Sequence, residues 1–488
     1  MALKNTAATI LRLMLLFLGT AIIVAMLIIT PRRYGDGMEY FMMTESLFNH
    51  LTPEAQRTDI VSLTRLQQKY PISHLANAVS GYFRISDNRS YCYHFWLYPL
   101  FALPAKSILH VFRLDEWKAL QITNSLLLVF ALCNFAIIAN LSDSQKLQFS
   151  LLALFCPAFW FLRWPHPEIF SYSFVIISLA YMSKSNWQLA TLSAAIASVQ
   201  NQPLVILVVF LWIKGVLYTR GHWKYLLVLS LAAAPVFAPA FFYRTTSGTC
   251  SVLLHTAASA GNISPYKTSE LFFDLNIGML PYIPFTLLLA AWSIGRDIMV
   301  KKRITLNLQL ILIVVIMMAL CTATLNWNHG TSGPSRYVIW MLPLVFFIVV
   351  AQNTSAFTSA PSRILYASLL WLAIAMQMIL VCCGGGFRPE ETHGHHSYLA
   401  RFILNHVPAL YNPSEEIFIE RTVQHEGPYV GPVIYRYRGL CRKALIKGKD
   451  SQQLAQSCDC VPDSYKEYLA DVTHAENFIY IDYPVLPP

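Results

Sequence analysis

Charge is scarce in this 488-residue chain: Asp, Glu, Lys and Arg make up 13% of it, against 55% hydrophobic residues and a mean hydropathy of +0.46. That balance excludes a large soluble enzyme and describes a polytopic membrane protein. Repeats at solenoid periods are absent, and so is any nucleic-acid module, so no nucleic-acid partner is expected. The formal charge of +10 is also uneven, because residues 384–488 hold ten Lys and Arg against thirteen Asp and Glu, leaving about +13 on the apolar part. Such charge suits topology and anionic lipid headgroups. No small-x-small cleavage pattern follows the first apolar run, at Ile28-Ile29-Thr30-Pro31-Arg32-Arg33, so that run is expected to stay as an anchor.

What is present is hydrophobic length. Apolar runs that can span a bilayer, short ones included, occur at 13–30, 119–141, 147–162, 169–182, 186–200, 203–217, 225–243, 277–295, 306–325, 337–351 and 364–383, eleven in all. Those between 147 and 217 hold as few as 14 residues and cross only where the bilayer thins or the helices pack as a group. Segment 95–112 contains Pro99, Pro104, Lys106 and His110 and is expected to lie in plane or to re-enter. Basic residues in short loops set the orientation: Arg296, Lys301, Lys302 and Arg303, then Arg220 and Lys224, then Lys4 and Arg12, all read as cytoplasmic. The N-terminus is therefore expected inside and the C-terminus outside, which for a bacterial inner membrane is the periplasm.

The fold expected is an all-α polytopic membrane bundle of about eleven spans plus one in-plane or re-entrant helix over residues 1–383, with a small external α/β region over 384–488. Residues 31–118 form the first external loop with juxtamembrane helices. In the tail, alternation at Val430–Tyr437 and Phe478–Tyr483 predicts strands, and Ser464–Ala475 predicts a helix.

This parity puts the unusual polar residues on one face, the external one. They are Asp36 and Glu39; Arg163-Trp164-Pro165-His166-Pro167-Glu168; Gln200-Asn201-Gln202; the loop with Arg244, His255 and Lys267; and Asn326-Trp327-Asn328-His329 running to Ser335-Arg336-Tyr337. The first acids follow soon after the first run, Asp36 six and Glu39 nine residues past Thr30, in Gly35-Asp36-Gly37-Met38-Glu39-Tyr40. Carboxylates at the mouth of a span are costly to hold, which marks them as functional candidates. Spaced three apart, they share a helix face with Tyr40, as a general base beside its orienting neighbour. Asp-x-x-Glu is equally a helix capping box, with Asp36 as N-cap, and the two readings coexist. The loop holding Arg163, His166 and Glu168 serves either chemistry or interfacial anchoring through Trp164.

Cysteine and histidine clusters point elsewhere. Cys133, Cys156 and Cys321 read as inert packing, Cys382-Cys383 as a packing pair, and Cys441, Cys458 and Cys460 as disulfide or free thiol in the tail. His393-x-His395-His396 reads as solvated, because no Cys or carboxylate spacing completes a metal site.

Taken in order, the external Asp-Gly-x-Glu-Tyr after the first span, the His94-to-Leu100 segment with its Leu-Tyr-Pro-Leu, the Arg-x-Pro-His-Pro-Glu loop and the Gly-x-x-Gly-Pro-Ser-Arg-Tyr loop at 330–337 resemble the GT-C superfamily of membrane glycosyltransferases. The resemblance covers about residues 13–351. The length, external tail and re-entrant helix also look like the phage serotype-converting glucosyltransferases that modify O-antigen of lipopolysaccharide. The resemblance implies a polyprenyl-phosphate sugar as donor, a glycan acceptor, and work on the non-cytoplasmic face beside a polyprenyl-phosphate sugar synthase and a flippase. It makes Asp36 the base, with Glu39 orienting or replacing it. A departing lipid phosphate asks for cations, for which Arg163, His166, Arg336 and Lys267 are the external candidates. Tyr40, His94, Glu168, Asn201, Asn328 and His329 are assigned to substrate binding. No metal or other cofactor is expected. The reading is an inverting, metal-independent hexosyltransferase; an O-antigen ligase or polymerase, and a transporter or flippase of lipid-linked glycans, stay open as alternatives.

Overall fold

A computed structural model describes residues 2–32, 36–71, 81–86, 89–219, 222–252, 257–301, 304–330, 333–351, 360–389, 395–423, 431–438, 440–447 and 478–482. Helix dominates, and the chain divides into two compact units: residues 1–264, 283–327 and 337–389, and residues 265–282, 328–336 and 390–488.

The first unit opens with α1 (Ala2–Ile28), α2 (Gly37–His50) and α3 (Arg57–Lys69), then a hairpin of β1 (Tyr82–Ser86) and β2 (Arg89–Cys92), then α4 (Leu97–Val111), α5 (Ala119–Ile138), α6 (Asp143–Leu154), α7 (Glu168–Ser183) and α8 (Trp187–Gln200). Among the described residues, five helical stretches are long and apolar enough to cross a membrane: Thr9–Ile28, Glu116–Ile138, Gln202–Thr219, Trp223–Ser247 and Ala360–Cys383. Glu168–Ser183, Leu306–Cys321 and Arg336–Val350 are shorter apolar helical stretches.

At the centre lies α7, packed against α5 and α8 and buried on every face. A helix apolar all round belongs in a core. Its neighbour α8 offers Ala190, Ala194 and Ala197, all fully buried. Small side chains at one-turn spacing bring the two backbones together, close enough for Ser178 Oγ to donate to the Ala190 carbonyl at 2.9 Å. The exit of α1 is held by α5: Gln121 Nε2 donates to the carbonyls of Met26 and Ile29, and Lys118 Nζ to that of Leu27. These are the orphan carbonyls that any helix end leaves, so the chain leaves α1 at a defined point, Ile28, eight residues before Asp36.

The runs 147–162 and 277–295 are among those that are not one continuous helix. In 147–162 the helix stops at Leu154 and continues as a short tight turn from Pro157 to Phe161, because Pro157 has no N–H to give. In 277–295 the helix starts only at Pro284, where a missing N–H costs nothing. Segment 95–112 is helical as α4, with Pro104 inside it.

The second unit joins two loop segments to C-terminal residues. Helices Tyr398–His406 and Glu415–Val423 accompany a three-stranded antiparallel sheet in the order β3 (Val433–Tyr437), β4 (Leu440–Lys447), β5 (Phe478–Asp482). Asp274 organises it. Its Oδ1 accepts the main-chain N–H groups of Asn276 and Ile277, its Oδ2 accepts the Tyr411 hydroxyl at 2.7 Å, and Asn276 Oδ1 accepts the Ser397 N–H. His396 is buried rather than solvated, bonded to Thr422 and packed on Phe418. Burial holds its pKa down at about 3, so the ring stays neutral. Cys441 is disulfide-bonded, whereas Cys382 and Cys383 are free and exposed rather than a packing pair. Cys458, Cys460, His393 and the segment 464–475 lie outside the described residues.

Two expectations follow for measurement. In a background lacking Cys250, Cys382 and Cys383, which are the exposed free cysteines among the described residues, a cysteine at Arg89 should react with an impermeant maleimide in intact cells, and one at Lys184 or Lys224 should not. The reverse pattern would overturn the assigned orientation. Glu270 of the second unit is buried and raised to about 7, chiefly by desolvation and then by Asp274 and Glu416, against the lowering bond from the Ser414 N–H. Its protonated form is favoured by folding, so its contribution is full below about 4.5 and is lost as pH rises through about 7. Thermal melts of the detergent-solubilised protein should fall over that interval, and Glu270→Gln should flatten the fall.

Candidate active site

The geometry begins at the start of α2. Gly37 opens the helix because a Cβ there would meet Pro165 Cγ at 2.8 Å, so the backbone of α2 lies directly on the loop between α6 and α7. That loop is fixed from α5. Asn124 Nδ2 donates to the carbonyls of Leu162 and Trp164, and Asn124 Oδ1 accepts the Tyr98 hydroxyl of α4. The result is a short approach between Asp36 and His166.

Asp36 sits at the N-cap position, yet its side chain makes no cap bond; the Glu39 N–H is taken by the Asp36 main-chain carbonyl at 3.0 Å. The capping box expected of Asp-x-x-Glu does not form, because the carboxylate is turned toward two imidazoles. Asp36 Oδ2 lies 3.4 Å from His94 Nε2 and 3.5 Å from His166 Nε2, the latter an ion-pair contact rather than a tight hydrogen bond. His94 Nε2 also lies 3.4 Å from Glu39 Oε2 and so bridges the two acids. On the far side His166 Nδ1 meets Glu168 Oε2 at 3.1 Å, with both side chains 2% exposed.

Burial separates the acids. The Asp36 side chain is 33% exposed and that of Glu39 10%. Desolvation raises the Glu39 pKa, with Asp36 adding to it and His94 opposing. For His166, burial by itself favours the neutral ring, but the Glu168 charge, the close Asp36 carboxylate and the hydrogen bond to Glu168 outweigh it and raise the pKa above 6.5. Tyr40 is the platform between the rings: His94 stacks on it at 5.3 Å and His166 meets it edge-on at 5.0 Å, while Trp164 stacks on the outer side of His166 at 4.0 Å.

Six of the residues singled out in the sequence thus meet in one cluster: Asp36, Glu39, Tyr40, His94, His166 and Glu168. Two others of the same unit have different partners. Arg163 Nε donates to the Thr30 carbonyl at 2.7 Å and so clips the end of α1. Asn201 Nδ2 donates to Ser171 Oγ, joining the end of α8 to α7. In the second unit Lys267 pairs with Glu416 at 2.7 Å, His329 with Glu420 at 3.1 Å, the Asn328 carbonyl accepts from Arg421, and the Arg336 N–H donates to the His329 carbonyl. Cys92, Gly81 and Asn124 take part in or support the cluster without having been singled out. Cys92 had one visible signal, its place in the run Tyr91-Cys92-Tyr93-His94; Asn124 is an amide in an apolar span, and Gly81 carries no signal of its own.

Chemically the cluster can hold and move protons. A carboxylate open to a reactant is backed by an imidazole whose other nitrogen is fixed by a buried carboxylate, the orientation that general-base catalysis needs. Asp36, Glu39 and His94 also offer one ligand atom each within 4.8 Å of one another, enough for a cation.

No protein-family model and no curated protein matches the chain. Among solved structures it is similar to the archaeal oligosaccharyltransferase AglB from Archaeoglobus fulgidus, in complex with an inhibitory peptide and a dolichol-phosphate. That match has a TM-score of 0.41 and 12% identity, over 86% of this chain and 61% of that one. The chain thus spans less than two thirds of that protein, and a likeness this weak carries no argument about function.

The His166 environment is open to measurement. In Glu168→Gln the ring loses its strongest cationic support, so its pKa, followed by NMR of carbon-13-labelled histidine, should fall relative to the parent. An unchanged titration would mean that Glu168 does not control the ring.

Proposed function

We propose that this protein is an inverting membrane glycosyltransferase that moves a sugar from a polyprenyl-phosphate carrier to a hydroxyl of a glycan acceptor. The observation that carries the reading is the cluster itself: three carboxylates and two imidazoles within contact distance, just beyond the end of an apolar helix long enough to span a bilayer. Ionisable groups are rarely kept at such a place without chemistry to do. The order of the sequence motifs, which resembles the GT-C superfamily, supports the same reading.

In this mechanism Asp36 is the base, because it is the most open acid of the cluster. It takes the proton from the acceptor hydroxyl as the oxygen attacks the anomeric carbon. The bond from that carbon to the lipid phosphate breaks, its electron pair leaves with the phosphate, and the configuration inverts. Glu39 and His94 hold the Asp36 carboxylate in place. His166, protonated above the usual range, stabilises the charge that Asp36 surrenders on protonation and re-forms on release. Arg163, His166, Arg336 and Lys267 are the cations assigned to the departing phosphate, on the sequence alone. The narrower proposal is glucose transfer to O-antigen on the periplasmic face of a bacterial inner membrane.

The test is incubation of the purified protein with a panel of polyprenyl-phosphate sugars, reading release of free polyprenyl phosphate. Asp36→Asn should lower turnover by about 10²–10⁴-fold, the usual worth of a general base, with little change in thermal stability because the amide keeps the shape. Near-normal turnover in Asp36→Asn would remove that residue from the chemistry. Consumption only of lipid diphosphate-linked glycans would instead identify a ligase or polymerase.

A further inference from the structure

We propose that the β1–β2 hairpin is a positioning device for the Glu39 carboxylate, acting through Gly81 and Cys92. The inference rests on the reading of the cluster as catalytic, but its geometry is separate from the Asp36 and His166 contacts.

Three features hold Glu39 from the hairpin side. Gly81, at φ +76°, presents bare backbone to the carboxylate: a Cβ there would overlap Oε1 and the carboxyl carbon and lie 2.7 Å from Oε2. The Cys92 thiol donates to Oε2 at 3.2 Å, and Cys92 is 3% exposed. The Tyr82 hydroxyl donates to the Glu39 carbonyl at 3.1 Å. One oxygen is thus wedged against a glycine while the other is shared by a thiol and the His94 ring, which leaves the side chain little room to rotate.

The hairpin is itself anchored on both sides. Its base closes through the Tyr93 N–H to the Gly81 carbonyl at 3.0 Å. Ala55, from the α2–α3 connection, exchanges two main-chain bonds with Ser90. From the helix Ala238–Ser247, the Tyr243 hydroxyl donates to the carbonyls of Cys92 and Tyr93 at 3.3 and 2.9 Å. The His94 N–H donates to Cys92 Sγ at 3.3 Å, so the sulfur that grips Glu39 also ties down the residue that bridges both acids. A hairpin whose only task was to cover the surface would need neither the glycine nor the thiol at these positions.

The experiment has a substrate-free arm and a kinetic arm. The S–H stretch of Cys92, assigned by infrared difference against Cys92→Ser, should lie at the low frequency of a thiol donating to a carboxylate. It should move up in Glu39→Ala and move the same way in Gly81→Ala. A parent band that coincides with the Glu39→Ala band overturns the proposal. In the kinetic arm Cys92→Ser, which keeps a donor, should stay within about twofold of parent, and Cys92→Ala should lose roughly fivefold in kcat with KM unchanged, the worth of one hydrogen bond. Equal turnover in parent, Cys92→Ser and Cys92→Ala overturns it as well. Should Gly81→Ala fail to fold, the Cys92 variants decide. Should none of the polyprenyl-phosphate sugars be consumed, the proposed function fails while the infrared arm still judges the positioning of Glu39.

Discussion

The constraint on which the first unit depends is the cost of burying carboxylates beside a membrane. An uncompensated buried charge costs several kcal/mol, and removing one partner of a buried pair typically costs about 3–5 kcal/mol. Asp59, Glu45, Glu168 and Glu39 are buried acids of the first unit, and each has specific partners. Asp59 accepts from Ser46, Asn49 and the Gln56 N–H and faces His50. Glu45 is held by Lys106 and Ser62. Glu168 is held by His166, and Glu39 by Cys92 and His94. These pairings tie α2 to α3, α4 and the hairpin, and α7 to the loop before it, so the same bonds that satisfy the charges also assemble the region.

Asp36 is the exception that gives the cluster its direction. It faces the same imidazoles as its neighbours but stays one-third open, so it is the acid that a reactant can reach. Close backbone approach makes this arrangement possible. Gly37 lets α2 begin on Pro165, and Gly81 lets the hairpin meet Glu39; a side chain at either would push one wall of the cluster away. The aromatic sandwich of His94, Tyr40, His166 and Trp164 keeps water from the inner side, where the Glu168–His166 bond is fully buried.

The second unit uses the same principle with neutral partners. Asp274 is buried and is satisfied mainly by main-chain N–H groups and the Tyr411 hydroxyl rather than by a cation. Hydrogen bonds of this kind lower the cost of burying a carboxylate, although desolvation still raises its pKa on balance. His396, neutral beside Asn276, joins the same network.

By itself the sequence determined the membrane class, because long uncharged runs have no other stable home. It also determined that Asp36, Glu39, Tyr40, His94, His166 and Glu168 were out of place, since polar groups next to apolar runs stand out residue by residue. Strands at Val433–Tyr437 and Phe478–Asp482 were legible from alternation, whereas β4 carries Arg, Lys and Cys on a less regular pattern. Only the tertiary structure decided partners. Asp36 and Glu39 fit a capping box as well as a paired site on spacing, and the choice fell to two histidines that lie 58 and 130 residues away from Asp36 in the chain. Arg163, a phosphate candidate in the sequence, donates from Nε to the Thr30 carbonyl, a contact the sequence did not signal because the end of α1 comes back to it in space. Gly81 and Cys92 contribute through a missing side chain and a single long-range bond; Gly81 leaves no trace in the sequence and Cys92 only its place in an aromatic run, since what each does depends on which backbone or carboxylate the fold brings against it.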